Sequence, residues 1–115
     1  MRKINDVSNA LLTFEKAAIK HGEATLLGDR KTANKCYSQL IEAITFLKEE
    51  NKLKVLSNFL RHNIPGVRIW AATYLLPIYE KDAIEVLNDL SFGNDIFSFD
   101  AKTVLNEWIN GNLKL

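Results

Sequence analysis

Between residues 66 and 79, apolar side chains occur at helical spacing on two sides of the chain at once. Val67, Ala71, Tyr74 and Ile78 mark one side, and Ile69, Ala72 and Leu76 lie nearly opposite. A helix that is apolar around most of its circumference has no face to present to water, so neighbours must enclose it. This segment is therefore expected at the centre of the fold, with Pro77 helping to end it.

The rest of the chain supplies neighbours of the same kind. Over residues 5–20, Val7, Leu11, Phe14 and Ala18 recur at steps of four, three and four with Ala10 and Ala17 beside them, which predicts an amphipathic helix ending near Gly22. A connection over residues 23–28 leads to Asp29, whose carboxylate can cap a second helix running to Glu50. That helix carries Ala33, Tyr37, Leu40, Ile44 and Leu47 as its stripe, flanked by Cys36, Ile41 and Ala43. Joined by a short loop, the two should pack antiparallel.

Shorter helices are expected over residues 52–61, 66–79 and 81–91, followed by a sixth capped by Ser98. The first is broken by Asn63-Ile64-Pro65-Gly66. The fifth turns Ala83, Ile84, Leu87 and Leu90 inward, and Gly93 ends it. In the sixth, Ala101, Val104, Leu105 and Trp108 form one stripe opposite a polar face, the pattern of a terminal, capping helix. A chain of 115 residues that is 47% hydrophobic can bury a core without disulfides or metal. The expected architecture is all-α: one domain of about six helices, with a long hairpin over 5–50 and shorter related hairpins over 52–79 and 81–110.

Sliding the sequence by 30 positions aligns Leu53 with Ala83, Leu56 with Val86, Leu60 with Leu90, Val67 with Phe97, Ala71 with Ala101, Leu75 with Leu105 and Ile78 with Trp108. Apolar positions fall on apolar positions through a whole helix pair, the mark of a repeated hairpin. The stretch from Leu60 through His62, Pro65-Gly66-Val67-Arg68 and Ala71-Ala72 to Leu76 resembles the turn and second helix of HEAT repeats. The resemblance implies an α-solenoid-like stack in which Ala71 and Ala72 permit close helix approach. In the second copy Gly93-Asn94-Asp95 replaces the proline turn and Ser98 stands where Arg68 stands, which departs from a regular arginine ladder. With Gly28-Asp29 and Ala33-Asn34-Lys35, the chain also resembles a family of small bacterial HEAT-like proteins of unknown function. That likeness implies a compact helical fold and brings no catalytic assignment; the analogy extends to HEAT-like immunity proteins that neutralise toxins.

Charge narrows the partners. Fifteen Lys and Arg against fourteen Asp and Glu leave a formal charge of +1, so attraction to a phosphate backbone would have to come from local clustering. No apolar run approaches the ~20 residues of a membrane span. The first six residues lead into mixed sequence and not into the apolar core of a secretory signal, so a cytoplasmic protein is expected.

Candidate chemistry is sparse. Cys36, His21 and His62 are ligand types at spacings that match no metal motif, and Cys36 flanks an apolar stripe where a thiol behaves as a small hydrophobe. No base is placed beside it, and the paired acids Glu49 and Glu50 or Asp82 and Glu85 sit at helix ends or on polar faces. No glycine-rich phosphate loop is present. Neither an enzyme nor a cofactor is expected.

Two basic clusters remain: Arg30, Lys31 and Lys35 at the start of the second helix, and Arg61, His62 and Arg68 around the following turn. If the hairpins stack in register both would lie at one end; alternatively, Arg68 pairs with Asp29 or Asp95 to fix neighbouring hairpins. The expected function is a non-catalytic protein-binding module, an immunity-type or regulatory partner, using a face of the second, fourth and sixth helices. The residues expected on that face are Arg30, Asn34, Tyr37, Arg68 and Trp70; the aromatics are of the type enriched at binding hot spots, though at helical spacing such residues are more often core. The alternative is a nucleic-acid binder gripping a phosphate backbone.

Overall fold

A computed structural model describes residues 4–115; the expectation for residues 1–3 lies outside the described residues. Among the described residues all regular structure is helical. The α-helices are α1 (Val7–Leu27), α2 (Arg30–Glu49), α3 (Pro65–Leu75), α4 (Glu80–Leu90) and α5 (Ile96–Ile109), with a 3-10 helix, Leu53–Phe59, between α2 and α3. The chain forms two compact units, Met1–Val55 and Leu56–Leu115.

The first unit is the α1/α2 hairpin. Asp6 caps α1, its carboxylate accepting the Asn9 N–H at 2.7 Å. The helix does not stop at Gly22. Gly22 lies buried within it, on a face that also buries Ala10, Phe14, Ala17, Ala18 and Ala24. Small side chains let the facing helix approach closely, which offsets the ~1 kcal/mol that a mid-helix glycine costs. Alpha1 therefore runs five residues further, through the expected loop, and ends at Gly28.

There the backbone turns left-handed, with φ +72°. The Gly28 N–H donates to the Thr25 carbonyl and the Asp29 N–H to the Ala24 carbonyl, 3.2 and 2.8 Å. These two bonds close a Schellman cap. Asp29 then caps α2 by accepting the Thr32 N–H at 3.1 Å, so one helix ends and the next begins across two residues.

Alpha2 buries Cys36, Leu40, Ala43, Ile44 and Leu47. The centre of this stripe is rotated from the expected one: Ala33 is half-buried and Tyr37 faces outward, 51% exposed. The helix ends in a second Schellman cap at Asn51, φ +58°, with Asn51 N–H on Lys48 and Lys52 N–H on Leu47.

The expected third helix is a 3-10 turn. Leu53, Leu56 and Phe59 stand three apart, and at three residues per turn they eclipse into one edge, with Leu56 fully buried.

In the second unit α3 packs on α4 and α5, and α4 on α5. Pro65 opens α3 at its first position, where the missing N–H would be unpaired anyway. The helix buries Val67, Ile69, Ala71, Ala72 and Leu75, and Leu76 just beyond it is buried too. Residues of both expected apolar sides are thus buried, with Tyr74 only half-buried. It ends before Pro77, so the period does not carry Ile78 inward, and that side chain is exposed.

Alpha4 buries Ala83, Val86 and Leu87. Asp95, not Ser98, caps α5: one carboxylate oxygen accepts both the Ser98 N–H at 2.9 Å and its hydroxyl at 3.1 Å. Ser98 sits on the third helical position, buried, and a Cβ at Gly93 would meet its hydroxyl. At the far end Trp108 Nε1 donates to Glu80 Oε2 at 2.8 Å, tying the last turn of α5 to the first turn of α4.

Candidate functional site

Successive helical residues are turned by 100°, so Arg30, Asn34 and Tyr37 fall within one stripe of α2. All three are exposed. Opposite the buried stripe, Lys31 and Ser38 lie nearest the middle of the solvent face, Asn34, Arg30 and Tyr37 toward one flank and Lys35 toward the other. The Ser38 hydroxyl donates to the Asn34 carbonyl at 3.3 Å, and the Asn34 carboxamide has no hydrogen bond among the described residues. The helix beneath is held rigidly: capped at both ends, its inner side packed on α1.

Charge along α2 is uneven. Residues 30–39 hold Arg30, Lys31 and Lys35 and no acid, while residues 40–50 hold Glu42, Glu49, Glu50 and Lys48. No described carboxylate forms an ion pair with Arg30, Lys31 or Lys35. The nearest acid in sequence, Asp29, is committed to the cap, and its hydrogen bonds with Thr32 hold its carboxyl below the usual range.

Just before this cluster, Leu26 and Leu27 end α1 with their side chains in solvent, Leu27 83% exposed. These two leucines were not expected at the site, because a helix ending at Gly22 leaves them in a connection. The signal was Gly28-Asp29 itself, which pairs a left-handed glycine with a capping acid and so marks a helix-to-helix turn.

Arg68 and Trp70 belong to the second unit. Two positions apart on α3, they point to nearly opposite sides. Arg68 is half-buried and its Nε donates to the Leu60 carbonyl at 3.4 Å, fastening the start of α3 to the turn before it. Within its own unit Arg68 makes no ion pair with Asp95 among the described residues. Trp70 is half-buried and stacks on Tyr74, the rings 6.3 Å apart and 4° from parallel.

The rest of the second basic cluster is also drawn into local structure. Arg61 reaches Glu85 on α4 at 3.9 Å, a solvent-exposed pair. His62 accepts the Ile64 N–H through Nδ1 at 3.0 Å and meets Phe59 edge-on. A separate exposed apolar feature, Phe92, Ile96 and Phe99, surrounds the start of α5, with Phe99 68% exposed.

Cys36 is buried, and burial pushes its thiol above the ordinary value, outweighing the nearby Lys20 and Lys35 that pull it down. Such a thiol is a poor nucleophile. Among the described residues no three His, Cys, Asp or Glu gather in a metal-holding group. No helix of the described chain is long and apolar enough to cross a membrane.

The fold defines an all-helical protein, a two-helix hairpin followed by a cluster of shorter helices. The same fold is seen in the crystal structure of the protein RPA1889 from Rhodopseudomonas palustris. The two match with a TM-score of 0.87 at 19% identity, over 98% of this chain and 99% of that one. At that identity the likeness is one of fold. No protein-family model and no curated protein sequence matches the chain.

Proposed function

We propose that this chain is a non-catalytic, cytoplasmic protein-binding module of the HEAT-like kind, serving as an immunity-type or regulatory partner of another protein. The observation that carries the reading is the outer face of α2. It is a solvent-facing stripe bearing Arg30, Asn34 and Tyr37; Arg and Tyr are enriched at interface hot spots, Tyr offers contact area at low entropy cost, and Asn supplies adaptable hydrogen bonding.

The HEAT-like part draws its support from the repeat. Leu56 and Val86, Ala71 and Ala101, and Leu75 and Leu105 are buried at both members of each pair. The fully buried Ala71 and Ala72 allow the close helix approach that such stacks use. The 3-10 helix standing where the repeat would place its first α-helix is the departure from that pattern.

The test is capture with the full chain from an extract of the source organism, comparing wild type with Asn34→Ala/Tyr37→Ala. The reading expects one protein retained by wild type at moderate salt and lost by the variant, with the variant's melting temperature unchanged. Retention by both, or retention only of nucleic acid with steep salt dependence, would overturn it.

A further inference from the structure

We propose that the first two turns of α2, with the adjoining tip of α1, recognise an acidic amphipathic segment of the partner protein. The inference rests on the protein-binding reading above and adds to it the chemistry of the partner.

Charge is the first ground. Arg30, Lys31 and Lys35 lie within two turns, and no described carboxylate pairs with any of them. Three cations within two turns of one helix repel one another, and an incoming carboxylate relieves that repulsion.

Apolar surface is the second ground. Leu27 projects into water three residues before Arg30, across the Gly28-Asp29 turn, and Tyr37 stands one turn beyond Asn34. The apolar side chains thus border the basic cluster, Tyr37 on the same side of α2 as Arg30, and Asp29, the one acid between Leu27 and Arg30, is engaged in the cap through Thr32. A partner segment that alternates carboxylates with apolar side chains satisfies both components.

A nucleic-acid backbone fits worse. The basic run from Arg30 to Lys35 spans only about 8 Å at the helical rise, and beyond it α2 turns acidic with Glu42, Glu49 and Glu50. A duplex carries a charge every ~1.7 Å along its axis and would be repelled by the second half of the same helix.

The experiment measures fluorescence anisotropy of the full-length protein with a labelled 16-residue probe peptide carrying Glu on one face and Leu on the other. The comparison probes replace Leu by Ser, or Glu by Lys, or are a short duplex DNA. The key variants are Lys31→Glu/Lys35→Glu, Lys31→Gln/Lys35→Gln and Leu27→Ser/Tyr37→Ala. The altered side chains are exposed, and acids in the first turns of a helix favour its dipole, so folding should survive and is checked by thermal melting.

The Glu/Leu peptide is expected to bind, weakening about tenfold with the charge-reversed variant and less with the glutamine variant. Raising salt from about 0.05 to about 0.5 M should weaken it further. The Ser probe should bind about tenfold more weakly than the Leu probe, and the leucine–tyrosine variant should lose the distinction between them. Equal binding of the Glu/Leu and Lys/Leu probes, indifference to charge reversal, or duplex DNA that outcompetes the peptide would each overturn the inference.

The two readings fail separately. A natural partner that depends on Asn34 and Tyr37 but is held undiminished by the charge-reversed variant removes the acidic segment and leaves the binding module. A partner held equally by wild type and Asn34→Ala/Tyr37→Ala removes both.

Discussion

Replacing Gly28 by alanine isolates one backbone term at the turn on which the α1/α2 hairpin depends. Gly28 has φ +72°, and a Cβ built there meets nothing within 4 Å. No clash contributes, so the cost is that of holding an L-residue with a Cβ in the left-handed region, roughly 1–2 kcal/mol. Alanine also restricts the unfolded chain, which returns about 0.4–1 kcal/mol. The net loss is then about 1 kcal/mol, a few degrees in Tm for a chain of this size. Asparagine tolerates the left-handed region better, so Gly28→Asn should lose less than Gly28→Ala. At the other end of α2, where Asn51 holds φ +58°, Asn51→Gly should be neutral or stabilising by a few tenths of a kcal/mol. Urea unfolding followed by circular dichroism measures all three. If alanine were harmless at Gly28, or no better tolerated than a variant that deletes the Asp29 cap as well, the turn would not be limited by backbone conformation and the reasoning would fail.

Phe14 is fully buried between small side chains of α1 and the inner face of α2, so Phe14→Ala should cost about 3–5 kcal/mol. Tyr37→Ala, at a half-exposed position, should cost much less than Phe14→Ala in the same melt. Cys36 should react with a thiol reagent far more slowly in the native protein than in denaturant; equal rates would show that its site is open to solvent. Asp29 and Asp95 both have carboxyls held below the ordinary aspartate value, chiefly by hydrogen bonds with Thr32 and Ser98. A folded pKa below the unfolded one gives stability that is present above the unfolded value and is lost as pH falls through the folded one. Asp29→Asn/Asp95→Asn should therefore show a flatter Tm profile than wild type below about pH 4, and parallel profiles would count against the caps.

Periodicity alone makes most of this fold legible in the sequence. The enclosed character of α3 follows from apolar residues on two sides, and Ile69 and Leu76 are buried as that requires. Expectation and structure part where one residue type serves two purposes. Gly22 reads as a helix stop, yet in a face of alanines it serves close packing. Ser98 reads as a cap, yet it is the donor that Asp95 holds at the third position of α5. Leu53, Leu56 and Phe59 fit either helix type over so short a run, and strict spacing by three is the sign of the tighter one.

The candidate site divides along the same line. Exposure of Arg30 and Asn34 follows from their distance from the buried stripe. Tyr37 lies on its border, where a shift of the stripe by part of a turn decides whether an aromatic is core or surface. The helix turns Cys36 inward instead, on the side of α2 that packs on α1, whose own buried face is mostly alanine. That exchange leaves the tyrosine half in solvent on the side of α2 that carries Arg30. Packing against small side chains thereby creates the surface on which the functional reading depends. Enlarging Ala17 or Ala18 to leucine should accordingly disturb the α2 face, as overpacking shifts neighbouring backbone, even though both residues are buried.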